Sequence, residues 1–179
     1  MFTMKVDDKL NIVFMHHSFK KQFLKLYKSN KLELMKWYNW PDDSQSEAFF
    51  AKIIAQSLQG YANGATLQCA ISYDEQIIGY IGLTEMSDTL AKAQLNYWIA
   101  AQYQGRGMME RICRTMIDYA FNFICLEKIE VSIATDNISS RKICEKLDFD
   151  LEGIVKHADN INGRVIDHAK YGLLKQNFE

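Results

Sequence analysis

Residues 95–124 hold the densest chemistry in the chain. Asn96, Tyr97, Trp98 and Ile99 read as a strand, Gln102-Tyr103-Gln104-Gly105-Arg106-Gly107 as a turn, and Met108 begins a helix. In that helix Met109, Ile112, Cys113, Met116, Ile117 and Ala120 recur at three- and four-residue spacing. A turn that opens a helix presents backbone N–H groups without intrahelical partners, at the positive end of the helix dipole. Such a place attracts anions. Gly105 and Gly107 lack the Cβ atoms that would hold a phosphate off the backbone, and Arg106 and Arg111 add positive charge. The turn therefore predicts a diphosphate.

Two common diphosphate loops are excluded. A dinucleotide fingerprint needs a third glycine where Glu110 stands, and a nucleotide-triphosphate loop needs Gly-Lys-Ser/Thr, which is absent. The alternative without a ligand is a plain glycine-containing turn. The spacing Q-x-x-G-x-G between a strand and a long mid-chain helix resembles the acetyl-CoA pyrophosphate loop of the GCN5-related N-acetyltransferases. Further motifs follow in order: Tyr97-Trp98-Ile99, Ile117-Asp118-Tyr119-Ala120-Phe121, Asn137-Ile138-Ser139-Ser140-Arg141-Lys142 and Tyr171-Gly172-Leu173-Leu174-Lys175. Together they are similar to the RimJ/RimL branch of that superfamily, the ribosomal-protein N-terminal acetyltransferases, most densely over residues 77–175.

Acetyl transfer from a thioester to an amine needs a bound acyl carrier, a neutral amine, hydrogen bonds to the carbonyl oxygen and a proton for the departing thiolate. The resemblance implies that backbone groups of Tyr97, Trp98 and Ile99 hold the carbonyl and the pantetheine arm. It implies that Gln102, Gln104, Gly105, Arg106, Gly107, Met108, Asn137 and Arg141 contact the cofactor, and that Ser140 donates the proton. Asn137 could equally cap the following helix, and Ser140 could be a plain first-turn serine. Trp37 and Trp40 either fill core beneath a helix connection or line the acceptor cleft, as the corresponding segment does in the family.

Gln94 departs from the branch. Relatives typically read Ala-Glu-Ile-Gly-Tyr-Trp where this chain has Ala93-Gln94-Leu95-Asn96-Tyr97-Trp98, and that glutamate is the proposed base. Glutamine accepts no proton at neutral pH. An α-amine of pKa about 7.8 is roughly a quarter neutral at about pH 7.4, against about one part in a thousand for lysine, a difference of about 3.5 kcal/mol. Low-pKa amines are favoured, unless Glu85 or His168 serves as base through a water. Asp148 replaces the glycine that the family places before Phe149, where the chain leaves a helix in left-handed conformation.

The elements that must position these groups follow from pattern. Strands are expected at residues 11–15, 66–73, 76–85, 92–99, 128–134, 149–158 and 164–174, the last two joined by a hairpin turn at Asn162-Gly163. A first helix, capped by Ser18 and ended near Asn30, carries Phe19, Phe23, Leu24 and Tyr27 on one face. Ser44 and Glu47 form an S-x-x-E capping box for a second over residues 45–58, with Phe49, Ile53 and Ile54 as its buried stripe. A helix follows the pyrophosphate turn, and a short one spans residues 139–146. The fold class is α/β (α+β): a single domain over residues 1–179, with a mixed sheet of about six to seven strands flanked by about four helices. The strands on either side of the crossover should part at their carboxyl ends and open a crevice there.

Composition agrees with one globular unit: 179 residues, 48% hydrophobic, nine glycines and one proline. With 21 basic and 22 acidic side chains there is no general basic field, so direct nucleic-acid binding is not expected, though a local basic patch can exist in a neutral total. Cys69, Cys113, Cys125 and Cys144 form no metal or disulfide pattern and read as reduced core thiols. The start lacks an apolar leader segment, and no run approaches the roughly 20 apolar residues of a membrane span, which predicts a cytoplasmic protein.

The expected cofactor is acetyl-CoA, with no metal. The expected partner is an amine, either a protein N-terminus of ribosomal type or a small amine. Asp42, Asp43 and Glu47 would supply some of the acidity that a polyamine cleft needs. A homodimer is left open. The competing class is a CoA-binding regulatory or structural protein that has lost its catalytic carboxylate.

Overall fold

The computed structural model describes residues 2–41 and 45–178. Its strands are β1 (Thr3–Lys5), β2 (Leu10–Phe14), β3 (Leu67–Tyr73), β4 (Gln76–Ser87), β5 (Lys92–Ile99), β6 (Lys128–Ala134), β7 (Asp150–Ile161) and β8 (Arg164–Leu174). The helices are α1 (Lys20–Leu34), α2 (Glu47–Ala62), α3 (Met108–Asn122) and α4 (Ile138–Lys146). One eight-stranded sheet runs in the order β1-β2-β3-β4-β5-β6-β8-β7. Every neighbouring pair is antiparallel except β5 with β6, which the α3 crossover makes parallel. The eighth strand is β1, whose three residues are too few to show alternation.

Side-chain alternation assigns the faces. Along β5, Ala93, Leu95, Tyr97 and Ile99 join α3's Ile112, Met116 and Ile117 in one core, which also takes Cys144 of α4. Trp98 points the other way, into a second core of Phe23, Tyr27, Phe50 and Ile54 beneath α1 and α2. Among the described residues no helix is long and apolar enough to cross a membrane.

Several local expectations need correction. Ser18 does not cap α1; it bonds back to His16 Nδ1 through its hydroxyl at 2.8 Å and its N–H at 3.2 Å, within a short 3-10 turn. Asn30 does not end the helix. Its Nδ2 donates to the Leu26 carbonyl at 2.9 Å and its Oδ1 accepts from the Ala101 N–H at 2.9 Å, so it ties α1 to the segment before α3. Ser44 lies outside the described residues, as do Asp42 and Asp43, and the cap of α2 is Ser46, whose Oγ accepts from the Phe49 N–H at 3.1 Å. With α2 so framed, its buried face is Phe50, Ile54 and Ser57, while Ile53 is exposed. Cys125 is exposed, unlike the other three cysteines. Asp148 does adopt φ 59°, and Asn162 and Gly163 take φ 51° and 84°, the left-handed pair of a tight hairpin turn.

Candidate active site

The parallel pair is short. β5 and β6 are in register only at Lys92 with Lys128, Ala93 with Ile129 and Gln94 with Glu130. Beyond Gln94 and Glu130 the two strands separate, leaving the carboxyl-terminal halves of both without a ladder between them. A cavity of about 480 Å³ fills the gap. Its walls come from β5 (Tyr97, Trp98, Ile99), the turn into α3 (Gln104, Gly105, Gly107, Met108), the start of α4 (Asn137, Ser140) and the end of α1 (Glu33, Leu34). That is the crevice expected at the carboxyl ends of diverging strands.

At one end stands the N-terminus of α3. Gly107 is its N-cap at φ 68° and offers no side chain to the first-turn N–H groups. Gly105 is also left-handed, at φ 71°, and a Cβ added at either glycine would meet nothing within 4 Å. The cradle is therefore open to an anion. Gln104 steadies the turn by donating from Nε2 to the Ile99 carbonyl at 3.1 Å. Arg106 is exposed, lies 5.7 Å over the Tyr103 ring and does not line the cavity. Arg111 is paired with Asp7, whose carboxyl is held low by the N–H groups of Lys9 and Leu10 and then by this guanidinium. Its charge is committed away from the turn.

In the middle, α4 is fixed from both sides. Asn137 Oδ1 accepts the Ser140 N–H at 3.2 Å, so the capping role is present, and the same residue lines the cavity. The Tyr97 hydroxyl donates to the Ser140 carbonyl at 3.1 Å and lies 3.9 Å from Cys144 Sγ. Burial raises the Tyr97 phenol well above its ordinary value and pushes the Cys144 thiol to about 12, so both stay protonated. Ser140 Oγ has no hydrogen-bond partner among the described residues.

At the far end the connection after α1 forms a roof. Tyr38 is 37% exposed, but its hydroxyl turns inward and donates to the Tyr97 carbonyl at 3.2 Å, and burial pushes this phenol to about 12. Trp37 lines the cavity and packs on Ala134, Ile161 and Ile166, with Arg164 5.7 Å from its ring. Asn39 joins this connection to the β7–β8 hairpin by donating to the Asn160 carbonyl at 2.7 Å and accepting from the Asn162 N–H at 2.9 Å. Arg164 adds a bond to the Lys36 carbonyl at 2.8 Å.

The expected site residues thus divide. Tyr97, Trp98, Ile99, Gln104, Gly105, Gly107, Met108, Asn137, Ser140 and Trp37 meet at one cavity. Trp40 does not; it is packed against Tyr27, Phe49 and Phe50 with ring centroids 4.7, 6.1 and 6.3 Å away. Gln102 is exposed beside the turn. Arg141 donates to the Tyr171 hydroxyl at 2.9 Å and the Thr135 carbonyl at 3.1 Å, clamping α4 to the sheet outside the cavity.

Gln94 sits at the last paired rung, with Nε2 3.4 Å from Asn96 Oδ1, and also lies outside the lining. So do both substitute bases, Glu85 at a bulge with φ 51° and His168, whose Nδ1 is 2.9 Å from Ser132 Oγ. Sequence reasoning missed Tyr38 and Glu33. Tyr38 lies between Trp37 and Trp40 in the sequence, but nothing local points it at a carbonyl 59 positions away.

Comparison with known proteins agrees with this geometry. Residues 20–150 match the acetyltransferase (GNAT) domain. YdaF of Bacillus subtilis (strain 168), named as a ribosomal N-acetyltransferase, is 29% identical over 100% of this chain and 98% of its own length. The ribosomal-protein-serine acetyltransferase of Escherichia coli (strain K12) is 24% identical over 96% of each chain. The solved structure of RimL, the ribosomal L7/L12 alpha-N-protein acetyltransferase in complex with coenzyme A, superposes with a TM-score of 0.94 at 19% identity, covering 98% of this chain and 99% of that one. The diverging strands, the glycine turn at α3 and the domain match lead to one assignment: the chain belongs to the GNAT family and is an acetyltransferase.

Proposed function

We propose that the chain transfers an acetyl group from acetyl-CoA to a primary amine, and that the amine is a protein N-terminal α-amine of the ribosomal type or a small amine. The observation that carries the reading is the opening of β5 from β6 onto a cavity whose walls join the α3 turn to the first turn of α4. In this reading the N–H groups at Gly107 and Met108 hold the diphosphate, and β5 at Tyr97, Trp98 and Ile99, where it forms no ladder with β6, holds the pantetheine arm and acetyl carbonyl. The amine approaches beneath Trp37 and Tyr38. As the N–C bond forms and the C–S bond breaks, the Ser140 hydroxyl passes its proton to the departing thiolate, and the proton that the amine nitrogen sheds, carried by water, restores the hydroxyl, so that the amide and free CoA leave with no net change in protons.

Of the wall carboxylates Glu33, Glu110 and Asp136, the first two are paired with Lys36 at 2.6 Å and Lys146 at 2.9 Å, and Gln94 stands where the resemblance implies a base, which favours an acceptor already partly neutral near pH 7. That is an α-amine more than a lysine ε-amine. The test is release of free CoA from acetyl-CoA with a panel of N-terminal peptides, lysine-containing peptides blocked at the N-terminus, and polyamines. Turnover with free α-amines, located by mass spectrometry at the N-terminus, supports the reading. Calorimetric binding of acetyl-CoA without consumption by any amine would replace it with a CoA-binding regulatory protein.

A further inference from the structure

The outer face of α1 is strongly basic. Its 15 residues include Lys20, Lys21, Lys25, Lys28 and Lys31 and a single carboxylate, Glu33, in a chain whose net charge is −1. At 100° per residue Lys21, Lys25 and Lys28 fall on the side of the helix away from Phe23, Leu26, Tyr27 and Leu34, which are buried, while Lys20 and Lys31 are half-buried at its flank. Lys20 lies 3.8 Å from Glu47, and Glu33 is taken by Lys36 at 2.6 Å. Among the described residues Lys21, Lys25, Lys28 and Lys31 meet no carboxylate within ion-pair distance. Lys21, Lys25 and Lys28 rim a shallow depression floored by Leu24, and Leu32, 84% exposed, stands at the end of the stripe.

We infer that this stripe is a docking surface for an acidic polypeptide, the body of the acceptor whose N-terminus enters the cavity. The inference rests on the reading of the cavity as an amine-acceptor site, and it names the kind of acceptor. Position supports it: the same helix that carries the stripe turns Asn30, Glu33 and Leu34 into the cavity wall. From Glu33 back to Lys21 is about 18 Å along the axis at about 1.5 Å per residue. An extended chain at about 3.3 Å per residue covers that in about six residues.

Composition of the stripe separates protein from nucleic acid. It has lysines and leucines, with no arginine to pair bidentately with phosphate and no aromatic ring on which a base could stack. Flexible ammonium groups around an apolar floor suit carboxylates interspersed with apolar side chains.

Two peptides test this. They share their first four residues and continue either with six residues alternating glutamate and leucine or with glutamine in place of each glutamate. Each is assayed with the wild type and with Lys21→Glu/Lys25→Glu/Lys28→Glu, at about 50 and 300 mM salt. The expected result is an acceptor KM about tenfold lower for the acidic peptide at low salt, shrinking at high salt and lost or inverted in the triple variant. The glutamine peptide should react equally with both proteins, which shows the variant is folded.

A fluorescent acidic peptide, titrated by anisotropy without acetyl-CoA, reads docking independently of turnover. Stripe-dependent binding without any transfer would keep the docking surface and sink the acceptor-site reading. Transfer with no preference between the peptides in the wild type would overturn the docking surface. So would tighter stripe-dependent binding of a labelled RNA duplex, or of phosphatidylserine vesicles, than of the acidic peptide.

Discussion

The hydroxyl of Tyr97 donates to the carbonyl oxygen of Ser140 at 3.1 Å, tying the diverging edge of β5 to the first turn of α4. Ser140 is thereby held at its N–H by Asn137 and at its carbonyl by Tyr97. Tyr97→Phe removes one hydrogen bond and leaves the ring's packing. Its expected stability cost is about 1 kcal/mol. If Ser140 donates the proton, the looser turn should lower kcat several-fold while calorimetric affinity for acetyl-CoA stays within about twofold. An equal loss in both would make Tyr97 a cofactor-binding group and nothing more.

Gly107 caps α3 at φ 68°, with open space where a Cβ would go. A side chain there meets no protein atom, so its effects are the left-handed backbone, at about 1–2 kcal/mol, and obstruction of whatever anion the helix end receives. Gly107→Ala should melt lower and bind CoA more weakly. Gly107→Val should bind far more weakly still. Thermal melts and calorimetric titration separate the two effects, and a folded Gly107→Val with wild-type affinity would remove the diphosphate from this turn.

Gln94→Glu introduces the carboxylate that the RimJ/RimL resemblance implies, but at a rung shared with Glu130, which Lys92 and Lys128 already contact at 2.9 and 3.0 Å. The position is outside the cavity, so kcat near neutral pH should change less than about threefold. Rates of the wild type, measured against pH with two amines of different pKa, should inflect at each amine's own value. A common inflection for both would reveal an enzyme base.

His168 is half-buried on β8, and desolvation holds its imidazole below the ordinary 6.5. Between that lowered value and 6.5 the unfolded chain binds more protons than the folded one, so stability rises with pH. The contribution is complete above about 6.5 and is lost as pH falls through the folded value. Urea melts at pH 7.5 and 5.5 should show a larger loss on acidification for the wild type than for His168→Gln.

Gly79 pairs with Ile99, and a Cβ there would press on the Trp98 carbonyl oxygen and lie 3.0 Å from the Ile99 Cα. Backbone atoms cannot swing aside as a side chain does. Gly79→Ala should therefore destabilise by about 1–3 kcal/mol and disturb the cavity edge at Trp98 and Ile99. Gly153→Ala, where the added atom meets nothing within 4 Å, should change chemical stability little. Equal melts for the two variants would contradict this packing.

What the sequence determined by itself was local. The strand, turn and helix around Gly105 and Gly107, the tight turn at Asn162 and Gly163, and seven of the eight strands follow from glycine chemistry and side-chain period, which act over a few residues. The site as a constellation was decided by tertiary structure. Trp37 and Trp40 are equally apolar indoles three positions apart, yet one faces the cavity and the other the core, because only the packing of α1 against α2 sets the path between them. Alternation puts Gln94 on a known face of β5, but the rung at which β5 leaves β6 is fixed by pairing between distant segments. The bond from Tyr38 to the Tyr97 carbonyl likewise joins residues that no local pattern relates. Periodicity reports which face a side chain takes; only the folded chain reports what that face meets.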